Sequence, residues 1–199
     1  FKMRSIYLLR HGETVWNRAK RLQGHKDTPL TLKGVQQARA MGDKMRQVLE
    51  GIQPRAFFSS PIGRSHQTAI IVADSINFDT ELIVLKKELK EITFGKWDGL
   101  NMEEILAGYE MIWRQRNKAK WSFAPPDGES YKMASERANS FIEGLAEEYP
   151  TIVVAHGSLN KVIRGCWRGL EPEEIFQLDE PQDGFYELIP NHKEIFIHV

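Results

Sequence analysis

The sequence predicts an α/β fold, and three observations lead to this prediction. Short apolar runs that fit buried strands alternate with longer segments in which apolar residues recur every three or four positions. The apolar runs at residues 6–9 and 151–155 are each followed closely by a His-Gly pair. The 199 residues contain no Pro/Ser-rich linker and no break in composition, so we expect a single domain over residues 1–199.

The first apolar run leads into the most informative residues of the chain. It ends at Arg10, His11 and Gly12, and Asn17 follows one short turn later. Glycine permits a sharp turn of the backbone, and open α/β sheets bind their ligands at the carboxyl ends of strands. We therefore expect a cation and a nucleophile at the edge of the sheet, directly after the first strand.

The next elements follow from capping and spacing. Thr31 is placed to cap a helix whose apolar residues continue to Leu49. Residues 56–60 fit a short buried strand, and a second helix is predicted to begin near Arg64. Residues 82–85 are apolar and partly β-branched, which predicts a third strand leading into an acidic loop.

The second half of the chain continues the alternation. Helical spacing resumes from Met102 to about Lys118 and is broken by residues 123–128, which contain two prolines and a glycine. A long helix is predicted to continue to Tyr149 and to end at Pro150. The remaining predicted elements are a strand at residues 151–155, a helix from His156, and a closing hairpin of residues 184–189 and 194–199.

Composition limits the classes of partner and compartment. The chain has 27 Lys and Arg against 27 Asp and Glu, so neither nucleic acid nor an anionic membrane is expected as a partner. Its apolar runs are too short to cross a bilayer, and no secretory start is evident. The single cysteine, Cys166, is predicted to be a buried structural thiol and fits a reducing compartment. We therefore expect a cytoplasmic protein.

Several ordered motifs together resemble those of the histidine phosphatase superfamily, also called the phosphoglycerate mutase-like family. They are LRHGET at residues 9–14, DTPLT at 27–31, EITFGKWDG at 91–99 and the second His-Gly pair at 156–157. The resemblance covers essentially the whole chain. It implies a three-layer α/β/α sandwich with a mostly parallel central sheet.

The resemblance also implies roles for individual residues. His11 is expected to be the nucleophile that forms a phosphohistidine, with Arg10 and Arg64 holding the phosphoryl oxygens. His156 is expected to add a donor beside backbone N–H groups at a helix start, which are suited to bind anions. Further expected substrate-binding residues are Asn17, Gln23, Gly24 and Gly157. No metal or other cofactor is expected, because no Cys/His/carboxylate grouping has metal-ligand spacing.

Chemistry alone does not identify which residue donates a proton to the leaving group. Glu88, Glu91 and Asp98 lie in one stretch, and each carboxyl group could protonate a leaving alkoxide. The family motif places the acid at the position of Glu91. Glu91 is therefore the expected general acid and, in a second step, the base that activates water.

Three functions remain open at this point. The loop at residues 94–99 resembles the phosphatase branch, which predicts a phosphomonoesterase acting on a small phosphorylated metabolite. The alternatives are a cofactor-dependent phosphoglycerate mutase and an inactive binding or regulatory module. A homodimer is possible if the last strand forms an exposed sheet edge.

Basic residues in two loops suggest a second anionic group on the substrate, although they could equally form a solvated face. The histidines outside the motifs, His25, His66, His192 and His198, are expected to be surface or structural residues, and His25 is the only plausible substrate neighbour among them, because it follows Gln23 and Gly24. The basic residues in question are Arg18, Lys20, Arg21, Lys26, Arg114, Arg116, Lys118 and Lys120.

Overall fold

The computed structural model describes residues 5–145 and 150–199, and within them the strands form one mixed sheet. The strand order is β3-β2-β4-β1-β5-β6. The first four strands in this order run parallel, whereas β5 and β6 are antiparallel to their neighbours. The strands are β1 Ile6–Arg10, β2 Ala56–Ser59, β3 Val84–Leu85, β4 Thr151–Ala155, β5 Gly184–Ile189 and β6 Lys193–His198.

Helices cover both faces of this sheet. Tyr7 and Leu9 point into an apolar cluster with α2 and α3, whereas Leu8, between them, points into a second cluster with α5 and α6. This alternation follows from the two-residue period of a strand and confirms the three-layer α/β/α prediction. The helices are α1 Val15–Arg18, α2 Leu32–Leu49, α3 Gly63–Ser75, α4 Met102–Lys118, α5 Tyr131–Glu143, α6 Gly157–Arg168 and α7 Pro172–Gln177.

The central strands β1 and β4 determine where the chain presents its histidines. Because both faces of the sheet are covered, these strands are almost continuously apolar and buried. They pair in parallel with Arg10 opposite Ala155, so His11 and His156 leave the sheet side by side. The His11 N–H donates to the carbonyl of Ala155 at 3.1 Å and extends the pairing by one residue.

Most predicted elements are confirmed, but two boundaries were wrong. Residues Thr80–Leu82 form a 3-10 turn capped by Asp79, so the third strand is limited to Val84 and Leu85 at the exposed sheet edge. The helix predicted to continue to Tyr149 ends at Glu143, with Gly144 as its C-cap. Residues 146–149 lie outside the described part of the chain.

Two short helices, α1 and α7, were not predicted from the sequence. In α1 the Thr14 side chain accepts from the Asn17 N–H, while the Asn17 side chain accepts from the Thr14 N–H, which is a complete capping box. The other, α7, begins with Pro172, and the Glu171 N–H before it donates to the Glu174 carboxylate at 2.9 Å. Both are too short to show a helical period in the sequence.

The closing hairpin is confirmed, and β6 forms one edge of the sheet. Cys166 is partly rather than fully buried, and burial raises the pKa of its thiol to about 11. Within residues 5–145 and 150–199, no helix has the length and apolar character needed to cross a membrane.

The close approach of the first turn to α2 yields a stability prediction. A Cβ atom at Gly12 would lie 2.2 Å from the carbonyl oxygen of Gly34, so Gly12→Ala must push two backbone segments apart. We expect it to lower the free energy of unfolding by about 1–3 kcal/mol in urea titrations. Gly108→Ala is the matched control, since no atom lies within 4 Å of its added Cβ and alanine favours a helix. Equal stability of the two variants would contradict this packing argument.

Candidate active site

A cavity of about 360 Å³ opens at the carboxyl ends of β1 and β4, a size that suits a small metabolite. Cationic, acidic and aromatic side chains share its wall. The lining residues are Arg10, His11, Asn17, Arg21, Leu22, Gln23, Gly24, Arg64, Glu91, Phe94, Lys120, Tyr131, Gly157, Ser158, Lys161, Phe176 and Glu180.

The protonation state of His11 follows from its hydrogen bonds. Arg64 Nε lies 3.2 Å from His11 Nε2, and His11 Nδ1 lies 2.8 Å from the carbonyl oxygen of Gly12. A guanidinium N–H can only donate, so Nε2 must accept and Nδ1 must carry the proton. Burial, followed by the charges of Arg64 and Arg10, lowers the pKa of His11 well below 6.5. At neutral pH His11 is therefore a neutral imidazole with an unprotonated Nε2.

Arg64 connects this histidine to the segment between β1 and α2, residues 11–31, which we call the first loop. Its Nη1 donates to the Lys26 carbonyl at 2.6 Å and to Asp27 Oδ1 at 3.3 Å, and its Nη2 donates to the Gly24 carbonyl at 2.9 Å. With Nε directed at His11, four of the five N–H groups are engaged within the protein. Arg64 therefore offers a ligand one remaining Nη2 hydrogen, rather than the full guanidinium fork expected from the sequence.

Arg10 is less fully engaged. Its Nη1 donates to the Glu180 carbonyl at 2.5 Å, whereas its buried Nε has no hydrogen-bond partner among the described residues. A Cβ atom at Gly157 would lie 3.1 Å from that Nε, so glycine leaves room for the guanidinium. An unpaired buried donor costs free energy, which an anionic ligand would recover.

His156 is fully buried and packs against His11, with 5.2 Å between the ring centroids. Its Nε2 lies 2.8 Å from Ser60 Oγ, and its Nδ1 has no partner among the described residues. Burial, followed by the charge of Arg64, lowers the pKa of His156 well below 6.5. Unlike His11, His156 does not line the cavity, so its expected donor role stays a prediction.

Among the three candidate acids, Glu91 lines the cavity. Its carboxylate accepts from the Ser158 N–H at 3.1 Å and from the Leu159 N–H at 3.0 Å, at the start of α6. These two N–H groups of the helix start thus bind the Glu91 carboxylate and fix it in the wall of the cavity that His11 also lines.

The other two carboxyl groups are placed elsewhere. Asp98 folds its own loop, since it accepts from the Phe94 N–H and the Thr93 hydroxyl, each at 2.8 Å. Glu88 does not line the cavity, and its backbone carbonyl accepts from Arg137. Geometry thus favours Glu91, in agreement with the family motif.

The first loop contributes neutral groups. Asn17 Oδ1 accepts from the Thr14 N–H at 3.1 Å, and the Thr14 hydroxyl donates to Gln23 Oε1 at 2.8 Å, so the oxygens of both amides are engaged. Gly24 has φ +50°, and a Cβ there would lie 1.9 Å from Asp98 Oδ1. This glycine is required both by its left-handed backbone and by the close packing of the two loops.

Two of the eight loop cations considered from the sequence, Arg21 and Lys120, line the cavity as the structure describes it. Arg21 is paired with Glu104 through bonds of 2.6 and 3.0 Å. His25 is exposed and does not line the cavity. Its Nε2 instead lies 2.9 Å from the carbonyl oxygen of Glu91.

Several contributors were missed because they lie in no recognisable motif. Gln182 donates to the His11 carbonyl at 2.9 Å, and Glu180 brings a second carboxyl group to the cavity wall. Glu180 is bound by Asn160 Nδ2 at 2.8 Å and by Arg164 Nη1 at 3.0 Å. The other missed lining residues include Tyr131, Lys161 and Phe176. Within the described ranges, no group of three or more His, Cys, Asp or Glu could hold a metal ion.

Comparison with known proteins identifies the family. The model of the histidine phosphatase superfamily (branch 1) matches residues 6–198, and the chain belongs to this superfamily. A probable phosphoglycerate mutase GpmB of Escherichia coli O1:K1 / APEC is 34% identical over 167 residues, which cover 82% of this chain and 73% of that protein.

Two solved structures have similar folds. The α-ribazole phosphatase from Shigella flexneri superposes with a TM-score of 0.84 at 22% identity, covering 98% of this chain and 95% of that one. A mycobacterial glucosyl-3-phosphoglycerate phosphatase complexed with VO3 gives a TM-score of 0.75 at 27% identity, covering 92% of this chain and 90% of that one.

The environment of Glu180 yields a prediction on pH. Burial raises the pKa of its carboxyl group to about 7, against the opposing effects of Asn160 and Arg164. Below that pH the group is neutral, and above it a carboxylate repels an anion in the cavity. We therefore expect the affinity for sulfate, which keeps its charge over this range, to fall as pH rises through about 7.

Calorimetric titration with sulfate at several pH values measures this change in affinity. In Glu180→Gln we expect the affinity to vary much less with pH. Arg10, Lys161, Arg164, Asp179 and Tyr186 also face Glu180, but they remain in the variant. Exposed Glu173→Gln is the control. An unchanged pH dependence in Glu180→Gln would exclude this carboxyl group as its source.

Proposed function

We propose that this member of the histidine phosphatase superfamily hydrolyses phosphate monoesters of small metabolites through a phosphohistidine on His11. The observation that carries the proposal is the neutral His11 imidazole, whose unprotonated Nε2 lies beside Arg64 and faces a cavity that Glu91 also lines. The printed names of the α-ribazole phosphatase and of the glucosyl-3-phosphoglycerate phosphatase add support for phosphatase chemistry.

The first step transfers the phosphoryl group to the protein. His11 Nε2 attacks phosphorus, and a P–N bond forms as the P–O bond to the alcohol breaks. Glu91 gives its proton to the departing alcohol oxygen, and Arg10 stabilises the charge spread over the non-bridging oxygens. The hydrogen bond from Nδ1 to the Gly12 carbonyl keeps the ring oriented during the attack.

The second step returns the protein to its starting state. A water molecule attacks phosphorus, its proton passes to the Glu91 carboxylate, and the P–N bond breaks to release inorganic phosphate. His11 is then again neutral and Glu91 again protonated. One carboxyl group therefore acts as acid and then as base.

A second candidate function is phosphoglycerate mutation, because the relatives that are 34% identical carry the name probable phosphoglycerate mutase. The two reactions differ in whether water or a second substrate hydroxyl meets the phosphohistidine. Incubation with 3-phosphoglycerate separates them: free phosphate supports the phosphatase, whereas 2-phosphoglycerate supports the mutase. An inactive binding module is disfavoured, because Arg10, His11, Arg64, Glu91 and His156 are all present.

Metal independence is part of the proposal, since Arg10 and Arg64 supply the positive charge directly. Activity should survive EDTA, and vanadate should inhibit by resembling the trigonal transition state. A chelator-induced loss of activity that added magnesium or zinc restores would count against this mechanism.

Substitution of the nucleophile tests the covalent route. We expect His11→Ala to lower turnover of p-nitrophenyl phosphate by several orders of magnitude while leaving the fold intact, because no phosphohistidine can form. Acid-quenched wild-type protein should carry acid-labile phosphate, and the variant should carry none. His198→Ala, which alters an exposed histidine in β6, is the control. If His11→Ala retains most of its activity, His11 is not the nucleophile.

Substitution of Glu91 tests its role as leaving-group acid. An alkyl ester departs as a strongly basic alkoxide and needs a proton, whereas p-nitrophenolate leaves with little help. Glu91→Gln should therefore slow phosphorylation of His11 far more with a sugar phosphate than with p-nitrophenyl phosphate. Single-turnover kinetics isolates this step from the water-dependent second step. Equal slowing with both esters would exclude Glu91 as the acid.

A further inference from the structure

The cavity wall away from His11 contains a cluster of cations among aromatic rings. Lys120 Nζ lies 4.4 Å from the ring centroid of Phe176 and 5.3 Å from that of Tyr131. Lys161, on α6, also lines the cavity and is close enough to Lys120 to affect its titration. The buried guanidinium of Arg116 lies 5.9 Å from the Tyr131 ring centroid, and Arg116 itself does not line the cavity.

In the part of the chain that the structure describes, the cations of this cluster form no ion pair. Across residues 5–145 and 150–199, neither Arg116 nor Lys120 has a carboxylate within ion-pair distance, whereas Arg21 is paired with Glu104 and Arg114 with Glu110. Burial, followed by the charges of Arg116 and Lys161, lowers the pKa of Lys120. Burial likewise lowers the pKa of Lys161, and the charge of Glu180 only partly opposes this effect. Partly buried like charges without an anion are unfavourable, so the arrangement is best explained by an anion that the ligand brings.

The cluster is in the same cavity as His11. Tyr131 connects the two regions, because it lines the cavity together with Ser158, whose N–H donates to Glu91. Leu22, Phe94 and Phe176 supply apolar wall for a short carbon skeleton. A ligand that fills about 360 Å³ can therefore present a phosphoryl group to His11 and a second group to the lysines.

We propose that Lys120 and Lys161 form a second anion subsite, and that the substrate is a phosphate monoester whose carbon skeleton carries a further anionic group. This inference rests on the proposed phosphatase function and specifies its substrate class. Either a carboxylate or a second phosphate would satisfy two ammonium groups. Aromatic contacts to Lys120 keep its ammonium in place when the subsite is empty.

Paired esters that differ only in the second anion test the proposal. Glycerol 3-phosphate and 3-phosphoglycerate differ by a carboxylate, and propanediol monophosphate and bisphosphate differ by a second phosphate. We expect wild-type kcat/KM to favour the more anionic member of one pair by about tenfold or more, as for hydrogen bonds between charged groups. The pair that shows the preference identifies which anion is recognised.

Variants then locate the preference. Lys120→Met and Lys161→Met should each move the kcat/KM ratio of that pair towards one, since methionine retains the apolar stem without the charge. Lys118→Met is the matched control, because Lys118 is exposed at the end of α4, two residues before Lys120, and does not line the cavity. Its ratio and its p-nitrophenyl phosphate turnover should stay at wild-type values.

The outcomes separate failure of the inference from failure of the proposed function. If all esters are hydrolysed with kcat/KM ratios near one, the second subsite is overturned and the phosphatase function stands. The same holds if Lys120→Met and Lys161→Met leave the kcat/KM ratio of the preferred pair unchanged. If no ester is hydrolysed, the proposed function fails, and binding still tests the subsite. Calorimetry should then show 3-phosphonopropionate binding about tenfold more tightly than propylphosphonate, with the difference lost in Lys120→Met. Equal affinities would overturn the subsite.

Discussion

The parallel pairing of β1 with β4 in the middle of the sheet is the constraint on which the rest of the site depends. Both strands are buried on two faces, so any slip in their register would carry apolar side chains out of both clusters. Because Arg10 lies opposite Ala155, the next residues, His11 and His156, lie side by side at the carboxyl ends of β1 and β4. The packing of the core thus sets the distance between the two imidazoles before any polar contact is made.

Polar contacts then decide which of these groups a ligand can reach. Arg64 donates three of its hydrogen bonds to Gly24, Lys26 and Asp27 of the first loop, and two N–H groups of α6 donate to Glu91. These polar groups of the cavity wall therefore already have partners within the protein. Arg10 differs, since its buried Nε has no partner among the described residues and its side chain lines the cavity, and this makes it the strongest candidate for contact with a bound anion.

Much of this arrangement could be predicted from the sequence, because β1 and β4 are short apolar runs whose ends are marked by the His-Gly motifs, and α2 and α6 have a clear helical period. The shortened β3 could not, because apolar residues 82–85 satisfy a strand pattern whether or not a partner strand is available. Glu180 and Gln182 were missed for a different reason: they act from an irregular connection whose path is set by tertiary packing. The hydrogen bonds from Arg64 to the first loop likewise could not be predicted, because a sequence motif does not show which backbone carbonyls lie near a side chain.

The charges around the cavity explain how one small site can bind an anion without collapsing around its own cations. Five basic side chains, Arg10, Arg21, Arg64, Lys120 and Lys161, share the wall with Glu91 and Glu180. The charges of Glu91 and Glu180 act on Arg10, and that of Glu91 acts on Arg64. Lys120 has no ion-pair partner among the described residues, and Glu180 only partly opposes the lowered pKa of Lys161. An anion on the far end of a ligand would therefore be attracted by these two lysines and would orient the ester towards His11.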